Sequence, residues 1–342
     1  MLKKDEMPSI PTLEDVARAS GVSTATVSRC LNAPDRVSEK TRKRVMKAVQ
    51  DLGYAPNFGA QALAAKRTNT FGAVIPTIEN AIFARGLQAF GEELHRAGVT
   101  LLVASSSYDP AREEEQIRAL VARGADGLLL IGHDRHERCY DFLERRQIPH
   151  IAAWVYDSGC DRLAIGFDNR EAMTALASEV IGLGHRRLGY ITAEIVGNDR
   201  ARARLEGVKA AMAEHGLDPD TLIVRGTEYS FQEGADAFAE IMAQPNPPTA
   251  VLCGNDVLAV GAVKQALNLG LRVPQDVSIT GFDDISVADI VTPGLTTVHV
   301  PHWEMGARAA QMLLQLRNGE DRPDSVRLDT YIARRGSLGP PS

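Results

Sequence analysis

From Phe71 onward, short apolar runs alternate with helical stretches, and this alternation constrains the fold more than any other feature. FGAVIP (71–76), VTLLVA (99–104), GLLLIG (127–132) and IPHIAAW (148–154) are apolar runs bounded by turn signals, with helical patterns near 82–97, 111–123 and 136–146 between them. A second series follows as LAIGF (163–167), RLGYIT (187–192), LIV (222–224), TAVLC (249–253) and SITGF (278–282), again with helices between. Strands that are apolar on both faces and separated by helices belong to parallel sheets covered on both sides. Two such series predict an α/β core of two lobes with parallel, doubly wound sheets. Ligands of such sheets sit at the carboxyl ends of the strands.

The first 67 residues read differently. In TLEDVARASGVSTATVSRCLN (12–32), Leu13, Val16 and Ala17 recur at helical spacing after Thr12, a natural N-cap. Gly21 permits a tight turn at positive φ, and Ser23 caps a second helix from about Thr24 to Leu31. Val27, Cys30 and Leu31 form its inward face. Thr24, Ala25, Ser28, Arg29 and Asn32 lie on the other side. Short side chains at the start of such a helix let it approach base edges in a DNA major groove, and Arg29 can meet guanine O6 and N7 in a bidentate contact. The alternative is a surface helical hairpin with ordinary caps. Ser38 caps a third helix, about 39–52, that ends at Gly53. Beyond Tyr54-Ala-Pro-Asn57, the segment FGAQALAA (58–65) is too short to hold a helix in water alone. It is either a flexible linker or a hinge that orders beside a partner hinge and DNA, with Leu63 placed to wedge into a minor-groove step. The expected units are a headpiece at 1–55, a hinge at 56–67 and a core at 68–342.

Charge divides along the same boundary. Residues 1–67 hold 12 Lys and Arg against 7 Asp and Glu, whereas the remainder holds 26 against 37. A basic head on an acidic body predicts polyanion binding at one end only. Cys30, Cys139, Cys160 and Cys253 show no metal or disulfide spacing, so reduced thiols are expected. The N-terminus MLKKDEMPSIPTLEDV has no apolar leader core, and no run approaches a membrane span. A soluble, cytoplasmic protein is expected. No P-loop, dinucleotide fingerprint or nucleophile elbow stands in a fitting context, and His133, His136 and Cys139 lack a metal-site partner set. Hence no enzyme, no cofactor and no metal are expected.

Many ordered segments carry a family resemblance. TLEDVARASGVSTATVSR, VSEKTRKRV, LGYAPN, AQALA, ARGADGLLL, LGHRRLGYI, RLEGVKAAM, AVLCGNDVLAVGA, LGLRVPQDVSITGFDD and PGLTTV together resemble the lactose/galactose-repressor family of bacterial transcription regulators. The likeness runs from Thr12 to about Arg335. It implies a helix-turn-helix headpiece, a hinge and a core like a periplasmic sugar-binding protein. It further implies a homodimer, or a dimer of dimers, on the double-stranded DNA of a pseudo-palindromic operator. The chain would cross between lobes near 165, 292 and 325, giving lobe one about 68–165 and 293–325, and lobe two about 166–292 and 326–338. On this expectation the LTTV strand and helix 301–318 fall in lobe one, and a final strand around 327–332 in lobe two.

Site residues carried over by the resemblance fall in both parts. Thr24 and Ala25 stand where the family chooses bases, and Arg29 where it has a largely fixed arginine; Ala25 departs from the lactose branch. Ser23, Thr26, Ser28 and Asn32 complete the DNA-facing helix, with Asn57 beyond it and Leu63 at the operator centre. In the cleft, Arg204 of RLEG would grip sugar hydroxyls or carboxylates, with Asn255 and Asp283 completing the polar lining. Asp283 also follows a strand, and Asp168 and Asn169 follow LAIGF in the same way. Asp168 and Asn255 each read equally as a helix cap. Trp154 either stacks on a ligand or packs at a lobe boundary, and Asn80 and Phe83 stand at the edge of lobe one.

The segment GFDN resembles that of gluconate-type regulators and leans toward a sugar-acid effector. The function expected is an effector-controlled repressor of carbohydrate or sugar-acid utilisation genes. The alternatives are control by a phosphocarrier protein and, more remotely, a sugar-binding transport protein. Replacing Leu63 with Ala is expected to weaken specific operator binding more than binding to random duplex, measured by fluorescence anisotropy on both DNAs. Equal loss on random DNA would remove the wedge role.

Overall fold

In a computed structural model, residues 10–55, 67–79 and 81–342 are described, with the main chain but not the side chain of Asn32. Asn57, Leu63 and Asn80, and with them the hinge expectation, lie outside the described residues. The chain divides into two compact units, 1–68 and 69–342.

The first unit is built on α1 (Leu13–Ser20), α2 (Thr24–Asn32) and α3 (Glu39–Leu52). Thr12 closes a reciprocal capping box with Asp15 at the start of α1, and Ser23 and Ser38 accept from Thr26 N–H and Thr41 N–H at the starts of α2 and α3. Gly21 ends α1 at φ 62°, a left-handed conformation that turns the chain at once into α2. Val16, Val27 and Val45, one from each helix, are fully buried at the centre. So small a core leaves little margin, and three satisfied caps of about 1 kcal/mol each are a substantial share of it.

The second unit holds two six-stranded sheets. The first contains β1 (Thr70–Ile75), β2 (Thr100–Ser105), β3 (Leu128–Ile131), β4 (His150–Ala153), β5 (Ala164–Gly166) and β11 (Val326–Arg327), in the order β11-β5-β4-β3-β1-β2. Every pairing in it is parallel. The second contains β6 (Leu188–Ala193), β7 (Ile223–Thr227), β8 (Ala250–Cys253), β9 (Ser278–Asp283), β10 (Thr296–His299) and β12 (Tyr331–Ala333), in the order β12-β10-β9-β8-β6-β7. Only its β10–β12 pair is antiparallel. Each sheet winds outward in both directions from its first strand, so its order reverses beside β1 in one lobe and β6 in the other. The carboxyl ends of the strands carry the loops of a shared cleft.

Helices cover both faces. In lobe one they include α4 (Ala81–Arg96), α5 (Pro110–Ala122) and α6 (Glu137–Arg145). Lobe two carries α7 (Asn169–Gly182), α8 (Asp199–Glu214), α9 (Phe231–Met242), α10 (Asp256–Asn268) and α11 (Val287–Ile290). The long α12 (His302–Asn318) returns to pack on α4.

The crossings differ from expectation. Thr296–His299 pairs with Thr280–Asp283 of β9, so the LTTV strand belongs to lobe two, not lobe one. Without it, the buried, apolar β9 would be an open edge, and pairing removes that exposure. Helix α12 does lie in lobe one, so the second crossing falls after β10, near 300, rather than near 292. The single final strand expected around 327–332 is two short strands, β11 in lobe one and β12 in lobe two, with the third crossing between them.

The α4–α12 contact is close enough to require glycine. A Cβ on Gly306 would lie 1.9 Å from the Gly86 carbonyl oxygen, a backbone atom that cannot rotate away. Gly306→Ala would gain about 0.5–1 kcal/mol of helix propensity but is expected to lose about 1–3 kcal/mol to overpacking, a net destabilisation visible in urea unfolding. Gly182→Ala, with nothing within 4 Å of the new methyl, is expected to be neutral or stabilising.

Candidate functional site

Two sites emerge, one on each unit. On the headpiece, the inner face of α2 is consumed by the core, and Thr24, Ala25 and Arg29 are exposed on the outer face. Ser23 and Thr26 are tied to each other, with hydroxyls 2.9 Å apart and the Thr26 N–H donating to Ser23 Oγ at 3.2 Å. Ser28 is half-buried. Among the described side chains of this face, Thr24, Ala25 and Arg29 therefore project from a capped helix. Direct contact with base edges requires such an arrangement.

In the core, the strand ends of lobe two assemble around Arg204, which is 6% exposed. Its Nε donates to Asn169 Oδ1 at 2.8 Å and its Nη1 to the Gly254 carbonyl at 2.6 Å. Its Nη2 stands 3.4 Å from Asp283 Oδ1, and the guanidinium lies 3.7 Å above the Phe282 ring. Asn169 comes from the start of α7, Gly254 from the end of β8, and Asp283 is the last residue of β9. Three segments distant in sequence therefore meet on one side chain.

Asp283 is fully buried, and its second carboxylate oxygen has no hydrogen-bond partner. Burial pushes its pKa up to about 6, and the Arg204 and Arg200 charges hold it from rising further. Its backbone stands at φ 104°, and that of Asp284 at 54°, conformations that L residues avoid. Beneath the turn, Asp256 Oδ2 accepts from the Ile285 N–H at 2.8 Å, and Asp256 Oδ1 from the Thr297 hydroxyl at 2.6 Å. Burial drives the Asp256 carboxyl well above the ordinary range.

The two lobes also touch directly. The Tyr108 ring, beyond β2, lies 5.4 Å from the Tyr229 ring, beyond β7. Burial raises both phenols, and both feel the Arg200, Arg204 and Asp283 charges, which places the pair over the same polar cluster. His133 N–H donates to Asp199 Oδ2 at 2.5 Å, Arg200 Nη1 to the Ile131 carbonyl at 3.2 Å, and Arg202 pairs with Asp134 at 2.9 Å. A cavity of about 380 Å³ opens between Arg85 and His302 of lobe one and Tyr229 and Asp284 of lobe two. A polar recess of about 600 Å³ on the cleft is lined by residues that include Asp168, Arg170 and Arg327.

Several residues singled out in the sequence have partners within their own lobe. Asp168 caps α7, accepting from Glu171 N–H at 3.0 Å, while still lining the polar recess. Asn255 caps α10 through Leu258 N–H at 2.9 Å and is fully buried, with its amide nitrogen unpartnered. Trp154 and Phe83, 1% and 4% exposed, meet edge to face at 5.3 Å in the lobe-one core. Tyr108, Tyr229, Arg200 and His302 were not anticipated. The two tyrosines follow strands and obey the rule that singled out Asp283; His302 could not be reached without knowing where the chain crosses.

Among the described residues no cluster of His, Cys, Asp and Glu is suited to a metal ion, and no helix is long and apolar enough to cross a membrane.

Comparison with known proteins agrees with both units. Residues 12–57 match the bacterial regulatory proteins of the lacI family, and residues 177–338 match a periplasmic binding protein-like domain. The HTH-type transcriptional regulator GntR of Pseudomonas aeruginosa is 34% identical over 317 residues, covering 92% of each chain. The HTH-type transcriptional repressor PurR of Escherichia coli is 33% identical over 331 residues, covering 96% of each. The Lac repressor dimer bound to operator and the anti-inducer ONPF superposes with a TM-score of 0.83 at 26% identity, over 96% of this chain and 98% of that one. With a helix-turn-helix headpiece and a two-lobed effector-binding core, this chain belongs to the LacI family and is a transcriptional regulator.

Proposed function

We propose that this regulator is a homodimeric repressor of carbohydrate or sugar-acid utilisation genes whose operator affinity is set by a small hydroxylated effector in the interlobe cleft. The observation that carries this reading is the Arg204–Asp283 pair. A buried carboxylate oxygen without a partner is costly unless a donor reaches it. A ligand hydroxyl supplies that donor, and the neighbouring guanidinium groups favour an acidic group on the same ligand. Tyr108 and Tyr229 offer aromatic faces beside it. The cavity of about 380 Å³, lined by Tyr229, Asp284 and His302 rather than by Arg204 or Asp283 themselves, is of small-metabolite size. On the headpiece, the exposed face of α2 would read the operator, with Arg29 as its principal base contact and Thr24 and Ala25 selecting the neighbouring bases.

The dimer is supported by the edge of the first sheet. Strand β2 is unpaired along one side among the described residues, Val103 is 44% exposed, and Leu87, Gly91 and Leu101 line a shallow recess beside it. An apolar open edge invites pairing or cover, and a second copy covers it symmetrically. Linkage then follows: an effector that prefers one lobe angle shifts operator affinity by its differential binding, typically about 1–3 kcal/mol, and the same factor appears at both sites.

A thermal-shift screen of the full chain against sugars and sugar acids tests the effector class, because a true ligand raises the melting temperature in proportion to its occupancy. Absence of any shift across both classes would remove the sugar-type effector. Since a hydroxyl donates to the ionised form of Asp283, affinity for the hit is expected to hold above pH 6 and to fall below it. Titration calorimetry at pH 5 should give binding about tenfold weaker than at pH 7.5. Asp283→Asn should flatten that pH dependence.

Arg204→Ala alone would leave the Asp283 carboxylate buried without its counter-charge, at a cost of about 3–5 kcal/mol. The pair Arg204→Met with Asp283→Asn strands no ion. It is expected to keep effector-free operator binding near normal and to lose the effector response, both measured by fluorescence anisotropy. A response that survives would remove the pair from the pocket.

A further inference from the structure

His302 opens α12 in lobe one and is 4% exposed, yet its two ring nitrogens face different lobes. Nδ1 lies 3.1 Å from the Trp154 indole Nε1, in its own lobe. Nε2 lies 3.0 Å from the carbonyl oxygen of Asp283, in the other. An indole N–H can only donate and a carbonyl can only accept. Nδ1 must therefore be the acceptor and Nε2 must carry the proton, so the two neighbours select a neutral ring in a single tautomer. Burial agrees, pushing the imidazole down to about 4.

The carbonyl that His302 holds belongs to the strained residue of the cleft. Asp283 at φ 104° and Asp284 at φ 54° keep that conformation only where surroundings fix it. Within lobe two, Ile285 N–H donates to Asp256, and the Asp284 carboxylate is held by His299 and Arg335; these bonds survive any lobe movement. The hydrogen bond from His302 to the Asp283 carbonyl is the one that reaches the turn from lobe one, and it exists only while the lobes are together.

We propose that His302 is a positioning residue for the effector site. While the lobes are closed, it holds the Asp283 peptide in its strained conformation, and with it the Asp283 carboxylate against Arg204. Opening the lobes breaks that hold, relaxes the turn and withdraws the carboxylate. Effector binding and lobe angle are thus coupled through one ring. The proposal rests on reading the cleft as the effector site.

The test uses no effector, so its failure is distinguishable from a failed search for one. The sequence has two tryptophans, and Trp303→Phe in the full chain leaves Trp154 as the sole reporter. His302→Gln preserves one donor and one acceptor, and His302→Leu preserves neither. In His302→Leu, acrylamide quenching of Trp154 should rise about threefold or more, and exchange of the Asp284 and Ile285 amides should accelerate about tenfold as the local opening equilibrium shifts. His302→Gln should restore both to near the parent values.

A His302→Leu chain indistinguishable from the parent would overturn the proposal. So would a His302→Gln chain as perturbed as His302→Leu, since that would show that ring packing, not hydrogen bonding, matters. Imidazole nitrogen NMR of the unsubstituted chain needs no folded leucine variant. It should show, at neutral pH, one neutral Nε2–H histidine whose signals vanish in His302→Gln; a charged ring or the Nδ1–H tautomer at that position would equally overturn it.

Discussion

A single guanidinium organises the cleft. Arg204 satisfies an amide oxygen of α7, the carbonyl at the end of β8 and the carboxylate at the end of β9 at once. Burying a charge is costly unless it is paired and hydrogen-bonded. Arginine meets that condition because its planar fork presents donors in several fixed directions, where a lysine would offer a single point charge. The strand ends of lobe two are thereby locked to each other. What remains exposed to chemistry is the unused capacity of the network, above all the second oxygen of Asp283.

That network lies wholly in lobe two, so a signal must reach it from lobe one through contacts that lobe motion can make or break. They include the Tyr108–Tyr229 ring contact at one edge, the Asp199–Arg202 stretch against the 131–134 loop at another, His302 on the Asp283 carbonyl, and the Asn169 amide on the Trp154 carbonyl. Around the three backbone crossings, Arg327 pairs with Glu171 and Phe167 stacks on Phe282. A boundary with few discrete polar contacts behaves as a two-state element rather than a continuously deformable one, and allosteric control requires such an element. In the headpiece, the core centres on one buried valine from each helix, and each of the three helices starts from a satisfied cap.

Much of this organisation is written locally. Caps at Thr12, Ser23 and Ser38, the turn at Gly21, and the strand–helix alternation from Phe71 depend on interactions within a few residues, and each stands as read from the sequence. Asp283 likewise ends an apolar strand as read, and its carboxylate meets Arg204 there. Tyr108 and Tyr229 obeyed the same rule and were legible in principle.

Tertiary structure alone decided the remainder. Whether Thr296–His299 joined the first or second sheet depended on which buried edge lacked a partner, a property of the assembled lobe and not of the four residues. Trp154 became a core residue because Gly86 leaves room for its ring, and His302 acquired its place only once α12 had returned to lobe one. Periodicity and capping are short-range and encoded in the segment that shows them. Edge pairing and contacts between lobes join separate elements of the chain, from Thr280 with Thr296 to Trp154 with His302, and no local pattern carries them.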